Sequence, residues 1–383
     1  MINYLRQLVK PKYPTLNRIE INSEAIFANL KLLQSLQPQA ELIPVLKSNA
    51  YGHGLKEICL ILNKAEIKMI ALDSFPELQI AYRYFKGKIL LIGEMPVAAY
   101  AYIKWSRTEI CVYNSATLKT LAAYNNQACI HLFINSGMNR EGIKDLPSFW
   151  QEHLSCWPSL KINGLCSHLL DAENDSQYNQ EQKQVFFQAL DFLQTKNINP
   201  QYVHLANSAG IFSVQDERLT ACRPGLAVYG YNPFAADSLY FKQAEELRPA
   251  LRLVSTVVSL QTLVPGEVVS YNATYTANRE VQVAVIPFGY YEGLDRRLSN
   301  RATFKIIHNN KNILAKLAGR VCMNLTCLEV GGEGPVAIGD EVVLFSDNKE
   351  ETNSLENLAK LQETIVYELL VKIQANIRKY IIN

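Results

Sequence analysis

Residues 42–54 read LIPVLKSNAYGHG, an apolar run that ends in Lys47 and passes into a turn with two glycines. An apolar run of this length, bounded by a turn signal, is typical of a buried strand. Seven further short runs follow before Tyr229, and longer amphipathic stretches separate them. This alternation is typical of parallel strands joined by crossover helices, and eight such strands can close on themselves. The sequence therefore predicts an α/β fold that begins with a (β/α)8 TIM-type barrel. The eight predicted strands lie near residues 42–46, 69–72, 88–92, 109–112, 129–134, 162–166, 202–205 and 219–222.

Helix-start signals support this order of elements. A leading Ile19–Ile21 piece precedes a helix that Ser23 is expected to cap. The segment Ser74–Glu77, with proline at an early helical position, predicts a capping box, and Asn114 or Ser115 is expected to cap the next helix. The 176–195 stretch has apolar residues at helical spacing, which we assign to the core.

The character of the sequence changes after about Pro249. Strand-like runs alternate with turn signals such as Pro265-Gly266 and Gly339-Asp340, a pattern that predicts antiparallel strands. We therefore expect two domains: a barrel over residues 1–247, including a short leading extension, and a mostly antiparallel β domain over 248–383. Helical spacing returns over residues 354–381. The predicted strands of the second domain are 253–264, 268–275, 281–288, 304–308, 313–317, 324–330 and 341–345.

The composition restricts the classes of partner. With 38 basic and 36 acidic side chains in 383 residues, the net charge of +2 gives no reason to expect nucleic acid or an anionic membrane. The eight cysteines are scattered and predict neither a metal site nor disulfides. The longest apolar stretch, residues 89–103, contains Glu94 and Pro96 and is too short to span a bilayer. A cytoplasmic location, with no membrane partner, is the expectation.

Polar and charged side chains follow several predicted strands, and barrel active sites lie at the carboxyl ends of strands. Lys47 follows the first strand, where a lysine can act as an amine nucleophile; a lysine that extends from a loop into solvent explains its position equally well. The planar guanidinium of Arg140 suits a substrate carboxylate. The other candidates are His168, Asn207, Ser208, Arg223, Gly225 and Leu226.

Two of these groups together predict a cofactor. Loops after strands seven and eight of such barrels commonly hold a phosphate, and Ser208 with the backbone N–H groups near Gly225 and Leu226 fits that role. A phosphate site opposite Lys47 is what pyridoxal 5′-phosphate (PLP) requires. Arg223 is then a candidate partner of the pyridine nitrogen.

At these residues the sequence resembles the alanine racemase family, which are fold-type III PLP enzymes, from about Arg18 to the C-terminus. The segment Lys47–Gly54 is similar to the family's PLP-lysine motif, and Val269–Tyr275 (VSYNATY) is similar to its catalytic-tyrosine motif. Further similar segments are Arg223–Gly225, Ile286–Tyr290, Gly319–Met323 and Tyr367-Glu368.

The resemblance implies that Lys47 forms the internal aldimine with PLP and carries one proton, while Tyr271 carries the other from the opposite face. It also implies that Tyr271 comes from the β domain of a second subunit, so the partners expected are an amino-acid substrate and a second copy in a homodimer with shared active sites. The activity implied is interconversion of L- and D-alanine, which supplies D-alanine for peptidoglycan. The resemblance assigns the cofactor to Lys47, Tyr51, His168, Asn207, Ser208, Arg223, Gly225, Leu226 and Tyr367, the substrate to Arg140, Met323 and Tyr290, and an outer corridor to Glu173, Arg296 and Arg320.

Some positions depart from the family pattern. Many members have a lysine, often carbamylated, seven residues before the carboxylate-binding arginine, and this position is Phe133. The charge that orients Arg140 must then come from elsewhere, with Asn135 or a bound anion as candidates. Related broad-specificity racemases also lack that lysine and carry an asparagine at the position of Asn135. Asn324 replaces a usual aspartate, and Val366 replaces a common proline.

Other functions remain open. A broader-specificity amino-acid racemase, acting on serine or larger side chains, is the nearest alternative. A fold-type III decarboxylase is disfavoured because those enzymes usually set a carboxylate, and not an arginine like Arg223, against the pyridine nitrogen. A non-catalytic PLP-binding protein is disfavoured because such proteins lack a second β domain containing a residue like Tyr271.

Overall fold

The computed structural model describes residues 14–174, 176–331 and 334–383. The described residues form two compact units: a barrel unit within residues 22–250, and a β unit that combines residues 14–21 with residues from 251–382. Within the described ranges, no helix combines the length and the apolarity needed to cross a membrane.

The barrel unit contains one sheet of eight parallel strands with consecutive neighbours, which confirms the predicted α/β barrel. The two strands at the ends of the hydrogen-bonded order, β2 (Glu41–Leu42) and β3 (Met69–Leu72), come together at a bridge between Val45 and Ala71. There the Ala71 N–H donates to the Pro44 carbonyl at 2.9 Å, and the Leu46 N–H donates to the Ala71 carbonyl at 2.8 Å. The sheet therefore closes at the residues just before Lys47. The barrel strands are β2 (Glu41–Leu42), β3 (Met69–Leu72), β4 (Lys88–Leu91), β5 (Thr108–Val112), β6 (Cys129–Phe133), β7 (Lys161–Cys166), β8 (Tyr202–His204) and β9 (Ala221–Cys222).

Helices separate these strands along the chain. The longest, Gln177–Thr195, buries Phe186, Phe187, Leu190 and Leu193, so these residues belong to the core as predicted. The other α-helices are Ser23–Leu36, Leu55–Lys64, Phe75–Tyr84, Ser115–Tyr124, Leu146–Glu152, Gly210–Ser213 and Phe241–Ala244, with a left-handed turn at Lys47–Tyr51 and 3-10 turns at Val97–Tyr102, Leu154–Cys156 and Leu226–Tyr229.

The helix starts only partly follow the sequence predictions. Asn114 caps its helix by accepting from the Thr117 N–H at 2.8 Å, one of the two options predicted. The cap of the first barrel helix is Asn22, which accepts from the Ala25 N–H at 3.0 Å, so the prediction of Ser23 was wrong by one residue. Asparagine is as good an N-cap as serine, and the pattern alone does not choose between neighbours.

The β unit is built on a nine-stranded sheet with the order β11-β14-β17-β16-β15-β18-β10-β1-β19, plus a small two-stranded sheet of β12 and β13. Its defined strand pairs are antiparallel, as predicted. The strands are β1 (Arg18–Asn22), β10 (Leu251–Thr256), β11 (Ser259–Leu263), β12 (Val268–Val269), β13 (Tyr275–Thr276), β14 (Val281–Ile286), β15 (Thr303–His308), β16 (Lys311–Leu317), β17 (Thr326–Val330), β18 (Glu341–Phe345) and β19 (Arg378–Ile382). Its helical segments are Tyr271–Ala273, Arg296–Leu298, Leu355–Gln362 and Val366–Lys372.

Two segments differ from the sequence expectation. The prediction grouped the leading residues with the barrel, but β1 pairs with β10, with Ile19 opposite Leu253 and Ile21 opposite Leu251. The first 13 residues of the predicted extension lie outside the described residues. The end of the predicted C-terminal helix is wrong, because Arg378–Ile382 is a strand next to β1. Both corrections follow from pairing between distant parts of the chain, which no local pattern specifies.

Candidate active site

The segment after Lys47 has an unusual backbone. Residues 48–51 all have positive φ angles, between 51° and 56°, in the left-handed helical region. Each costs about 1–2 kcal/mol for an L-residue, so tertiary contacts must hold the turn. One of these contacts is Asn49, whose N–H donates to Glu77 at 3.2 Å and whose Oδ1 accepts from the Leu55 N–H at 2.9 Å. The turn sets the half-buried Lys47 just beyond the closed end of the barrel sheet.

Glu77 accounts for the failure of the predicted capping box. Ser74 begins the helix Phe75–Tyr84, but its side chain makes no capping hydrogen bond. The Glu77 carboxylate instead accepts from the backbone N–H groups of Asn49 and Asp73. A residue predicted to stabilise its own helix therefore holds the lysine turn.

A small polar cradle lies after β8 and β9. The Ser208 hydroxyl oxygen accepts from the backbone N–H groups of Gly225, at 2.9 Å, and Ala227, at 3.2 Å. A Cβ atom at Gly225 would lie 2.5 Å from the Tyr51 hydroxyl, so a glycine is required for this close approach. Tyr51 and Ser208 are buried, and Leu226 begins the adjoining 3-10 turn. The structure thus brings together four sequence-predicted phosphate residues, from the lysine turn and from two strand ends.

Asn207 has a local role beside this cradle. Its side-chain oxygen accepts from the Gly210 N–H at 2.9 Å, which ties the end of β8 to the helix Gly210–Ser213.

Arg223 lies directly after β9 and is buried. Its Nη1 donates to the carbonyl oxygen of His204 at 2.8 Å and to the ring Nδ1 of His204 at 2.6 Å, and its Nη2 donates to the carbonyl oxygen of Ser167. Burial, together with the nearby positive charges of Arg223, Arg140 and Lys47, lowers the pKa of His168 to about 3. His168 is therefore neutral at physiological pH, and four predicted site residues share one electrostatic environment.

A buried polar chain beneath Arg223 was not predicted. His204 Nε2 is 2.7 Å from Nδ1 of His131, and His131 Nε2 is 3.0 Å from Oε2 of Glu109. Glu109 also accepts from Lys88 Nζ at 2.7 Å and from Asn163 Nδ2 at 2.6 Å. The signal that could have revealed this hydrogen-bonded chain is a glutamate in β5 and a histidine in β6, both in largely apolar strands at buried positions where charged and polar side chains are rare.

The departure at Phe133 is accommodated by packing. The ring is buried, it meets Tyr113 edge to face at 5.9 Å, and a Cβ at Gly142 would lie 2.9 Å from it. Asn135 accepts from the N–H groups of Gly137 and Asn139, so it shapes the loop and is not a partner of Arg140 in this structure.

Arg140 lies in an exposed position after β6. Its Nε and Nη2 atoms both donate to Oε1 of Glu141, at 3.2 and 2.9 Å. Glu141, the next residue along the chain, is therefore the carboxylate partner of Arg140 in this structure.

The β unit presents its own group of candidate residues. Tyr271, Tyr290 and Met323 are 66%, 46% and 56% exposed, high values for side chains of this apolar character. Their loops are hydrogen-bonded together: Ser270 Oγ donates to the Arg320 carbonyl at 2.8 Å, and the Tyr290 N–H donates to the Cys322 carbonyl at 3.0 Å.

Two glycines permit this packing of the loops. A Cβ at Gly319 would lie 2.7 Å from the Val269 carbonyl oxygen, and one at Gly289 would lie 2.3 Å from the Cys322 carbonyl oxygen. The predicted strand 268–275 is accordingly interrupted at Tyr271, which stands in a short turn between β12 and β13.

The remaining predicted residues lie elsewhere within their own units. Tyr367 is half-buried in the helix Val366–Lys372 of the β unit, and Arg296 is exposed in the turn Arg296–Leu298. Glu173 is half-buried in the barrel unit, between β7 and the helix Gln177–Thr195.

A (β/α)8 barrel with a strand-end lysine, a hydroxyl cradle after its last two strands and a following β domain defines the fold-type III class of barrel enzymes. Family models support a closer assignment: the alanine racemase N-terminal domain matches residues 21–233, and the alanine racemase C-terminal domain matches residues 250–381. The chain belongs to the alanine racemase family, which is PLP-dependent.

Individual relatives agree with the family models. The chain is 31% identical over 385 aligned residues to the alanine racemase of Borreliella burgdorferi strain ZS7, covering 94% of this chain and 95% of the relative. It is 30% identical to alanine racemase 1 of Caldanaerobacter subterraneus, covering 94% and 93%. Among solved structures, alanine racemase from Clostridium difficile 630 superimposes with a TM-score of 0.86 at 26% identity, covering 97% of each chain.

Proposed function

We propose that this protein is a PLP-dependent amino-acid racemase that interconverts L- and D-alanine, with Lys47 and Tyr271 as its two bases. The observation that carries the proposal is the buried cradle of Tyr51, Ser208 and Gly225 on the same barrel end as Lys47 and Arg223. Its metabolic role would be to supply D-alanine for peptidoglycan in the cytoplasm.

The residues of the cradle fit a phosphate. Two buried hydroxyls, of Tyr51 and Ser208, can donate to phosphate oxygens. The Gly225 and Ala227 N–H groups donate to the Ser208 oxygen and leave its hydrogen free to point at the phosphate, and the Leu226 N–H would add a further donor. A Cβ atom at Gly225 would displace the Tyr51 hydroxyl, so the cradle requires a residue without a side chain at this position. By the resemblance to the family, Tyr367 would add a further hydroxyl, and Asn207 and His168 would line the cofactor.

Arg223 would donate to the pyridine nitrogen. A guanidinium keeps its proton in proteins, so Arg223 would hold the ring nitrogen by a hydrogen bond without transferring a proton to it. This also supports a racemase over a decarboxylase of the same fold type, in which a carboxylate usually takes that place.

The two bases would act on opposite faces of one carbon. PLP, when bound, withdraws electrons from the α-carbon of the substrate and makes its C–H bond acidic. Lys47 Nζ would remove or return a proton on one face, and Tyr271 Oη would do the same on the other. Racemisation requires two groups because a single base tends to return the proton to the face from which it came.

Other residues would hold the substrate. Arg140, oriented by Glu141, would bind the α-carboxylate through its fork of N–H donors, together with the backbone of Met323. Tyr290 would narrow the entry, outside which Glu173, Arg296 and Arg320 would form a corridor. Because Tyr271, Tyr290 and Met323 are exposed on the β unit, we propose that they complete the site of a second subunit in a homodimer.

A broader-specificity amino-acid racemase is the second candidate. The observation that favours it is Phe133 in place of the family's lysine, combined with Asn135 two positions later. A broader-specificity racemase would use the same two bases, Lys47 and Tyr271, and would differ only in the substrate side chains that its active site accepts.

The decisive experiment incubates the purified protein and PLP with single enantiomers of alanine, serine and larger amino acids, and separates the products by chiral chromatography. Formation of D-alanine from L-alanine, fastest among the panel, is the expected result. Faster racemisation of a larger amino acid would favour the second candidate, and carbon dioxide release without racemisation would overturn both. As a control, borohydride reduction should trap PLP on the wild-type chain and leave no adduct on Lys47→Ala.

A further inference from the structure

The polar chain beneath Arg223 passes through the barrel interior. Glu109 is the second residue of β5, His131 is the third of β6, His204 is the last of β8, and Arg223 follows β9. Because parallel strands run in the same direction, this progression leads from near the amino ends of the strands to their carboxyl ends. All four side chains are buried, and the links measure 2.6, 2.7 and 3.0 Å.

The hydrogens of this chain are determined by its two ends. Arg223 can only donate, so the Nδ1 of His204 must accept, and a neutral His204 then carries its proton on Nε2. His204 Nε2–H donates to the Nδ1 of His131, which leaves His131 to donate from Nε2 to Glu109. Glu109, as a carboxylate, can only accept. Every bond therefore points from Arg223 towards Glu109.

Both imidazoles are held neutral, in agreement with this direction. Burial lowers the pKa of each histidine, and the positive charge of Arg223 acts in the same sense. Burial alone would raise the pKa of Glu109, but its hydrogen bonds from His131, Lys88 and Asn163 outweigh burial and keep that pKa below its ordinary value. The hydrogen-bonded chain from Arg223 to Glu109 thus has a permanent donor, Arg223, at one end and a permanent acceptor, Glu109, at the other.

Strand β7 leaves space for the His131 ring of this hydrogen-bonded chain because it has a glycine beside the ring. Gly164 is paired with His131, and a Cβ there would lie 2.1 Å from its Nδ1. Tyr202 covers the His131 ring, with ring centroids 5.6 Å apart and planes inclined by 18°. The ring can therefore neither shift nor turn freely, and its tautomer is set by its two hydrogen-bond partners.

We propose that Glu109 is a remote positioning residue for Arg223: through His131 and His204 it imposes the tautomers that leave His204 Nδ1 free to accept from the guanidinium. Without a carboxylate at position 109, His131 can reverse and donate from Nδ1. His204 would then present an N–H to Arg223, and two donors would face each other. The guanidinium would turn away, and its hydrogen bond to the cofactor ring would be lost.

This inference rests on the proposed function, because the role of Arg223 at the cofactor is part of that function. The first test of the inference is independent of the proposed function. In the wild-type protein without PLP, ¹⁵N spectra of the histidine rings report the tautomer directly. We expect His131 and His204 to be neutral with the proton on Nε2 in both. A proton on Nδ1 of His204 would overturn the inference, whether or not the protein is a racemase.

The second test compares Glu109→Gln with two matched variants. Glu41→Gln makes the same chemical change in another barrel strand, where Glu41 Oε2 is 3.7 Å from Lys68, and Lys88→Gln removes the cation next to Glu109 but leaves the carboxylate. We expect only Glu109→Gln to alter the ¹⁵N tautomer pattern and the visible absorption of bound PLP.

The same variant should lower kcat/KM for alanine by about ten- to a hundred-fold, the range found when an outer partner of a metal-ligating histidine is removed. Glu109→Asp, which keeps the charge, should restore part of the loss. Unchanged tautomers and an unchanged PLP spectrum in folded Glu109→Gln would refute the inference. If the wild-type protein showed the expected tautomers but no racemisation, the proposed function would fail and the positioning geometry would stand.

Discussion

Tyr271 has the least support from its surroundings of the proposed catalytic residues. It stands in a three-residue turn, with positive φ angles at Ser270 and Asn272 on either side, and its ring is mostly exposed. Strained backbone persists only where neighbouring contacts over-determine it, and here Gly319 and the Ser270 hydroxyl supply those contacts. The contacts of the neighbouring residues therefore hold the turn in a conformation that leaves the phenol of Tyr271 exposed.

If this phenol is a base for one face only, its removal should affect the two enantiomers unequally. Tyr271→Phe deletes the hydroxyl and keeps the ring, so packing changes little. We expect exchange of the α-hydrogen with solvent deuterium to fall much more from the enantiomer deprotonated by Tyr271 than from the other. Nuclear magnetic resonance of each enantiomer in deuterated buffer measures this, and equal losses would contradict the two-base scheme.

Phe133 leads to a second prediction at the scale of the residue. A phenyl ring cannot be carbamylated, and Arg140 already has a carboxylate partner in Glu141. Racemisation should therefore be the same in buffer freed of carbon dioxide and in buffer with added bicarbonate. Glu141→Gln should raise KM for alanine more than it lowers kcat, because it acts on the binding of the carboxylate. A clear requirement for bicarbonate would show that another lysine carries a carbamate.

Strand β7 has no space for an added side-chain atom at Gly164. Gly164→Ala would place a methyl group 2.1 Å from the His131 ring, which Tyr202 covers. We expect a loss of about 1–3 kcal/mol in the free energy of unfolding, the usual cost of overpacking a core. Urea denaturation measures it. The double variant Gly164→Ala with His131→Ala should lose less than the sum of the two single changes, and strict additivity would mean that the ring is not the obstacle.

The elements also show how far local patterns can predict this protein. The barrel strands were predictable because each is a short apolar run between amphipathic helices. Lys47, Ser208 and Arg223 could be placed because each lies within a few residues of the carboxyl end of a barrel strand. The position of β1 was not predictable, since its pairing with β10 joins residues more than 200 positions apart. The link from Glu109 to Arg223 was likewise hidden, because it exists only when four strands share one interior.

For the whole molecule, the buried histidines predict a dependence of stability on pH. Burial is the main cause that lowers the pKa of His131, His168 and His204, and Arg223 adds to the effect. In the unfolded chain these residues take up protons near pH 6.5, whereas in the folded chain they stay neutral well below it. The unfolded state therefore binds more protons in this range, so stability is full above about pH 6.5 and falls as the pH decreases.

The expected slope is about 1.4 kcal/mol per pH unit for each histidine that remains neutral in the fold. Glu109 does not contribute between pH 5 and 6.5, because its lowered pKa matters only below the ordinary pKa of a glutamate. Denaturation midpoints measured between pH 7.5 and 5.5 test this. His168→Gln should reduce the slope by about one proton, and a flat profile would contradict neutral histidines.

The assembly can be tested by complementation, because Lys47 and Tyr271 belong to different units of the chain. Lys47→Ala and Tyr271→Phe should each be nearly inactive alone. If every site takes its lysine from one subunit and its tyrosine from the other, a mixed dimer of the two variants has one site with both residues intact. Equal co-expression makes half of the dimers mixed, so about one quarter of the wild-type activity should return. Co-expressing Lys47→Ala with a chain that carries both substitutions creates no intact site and should restore nothing. Recovery in the first mixture but not in the second requires sites shared between subunits, whereas no recovery in either would place both bases on one chain.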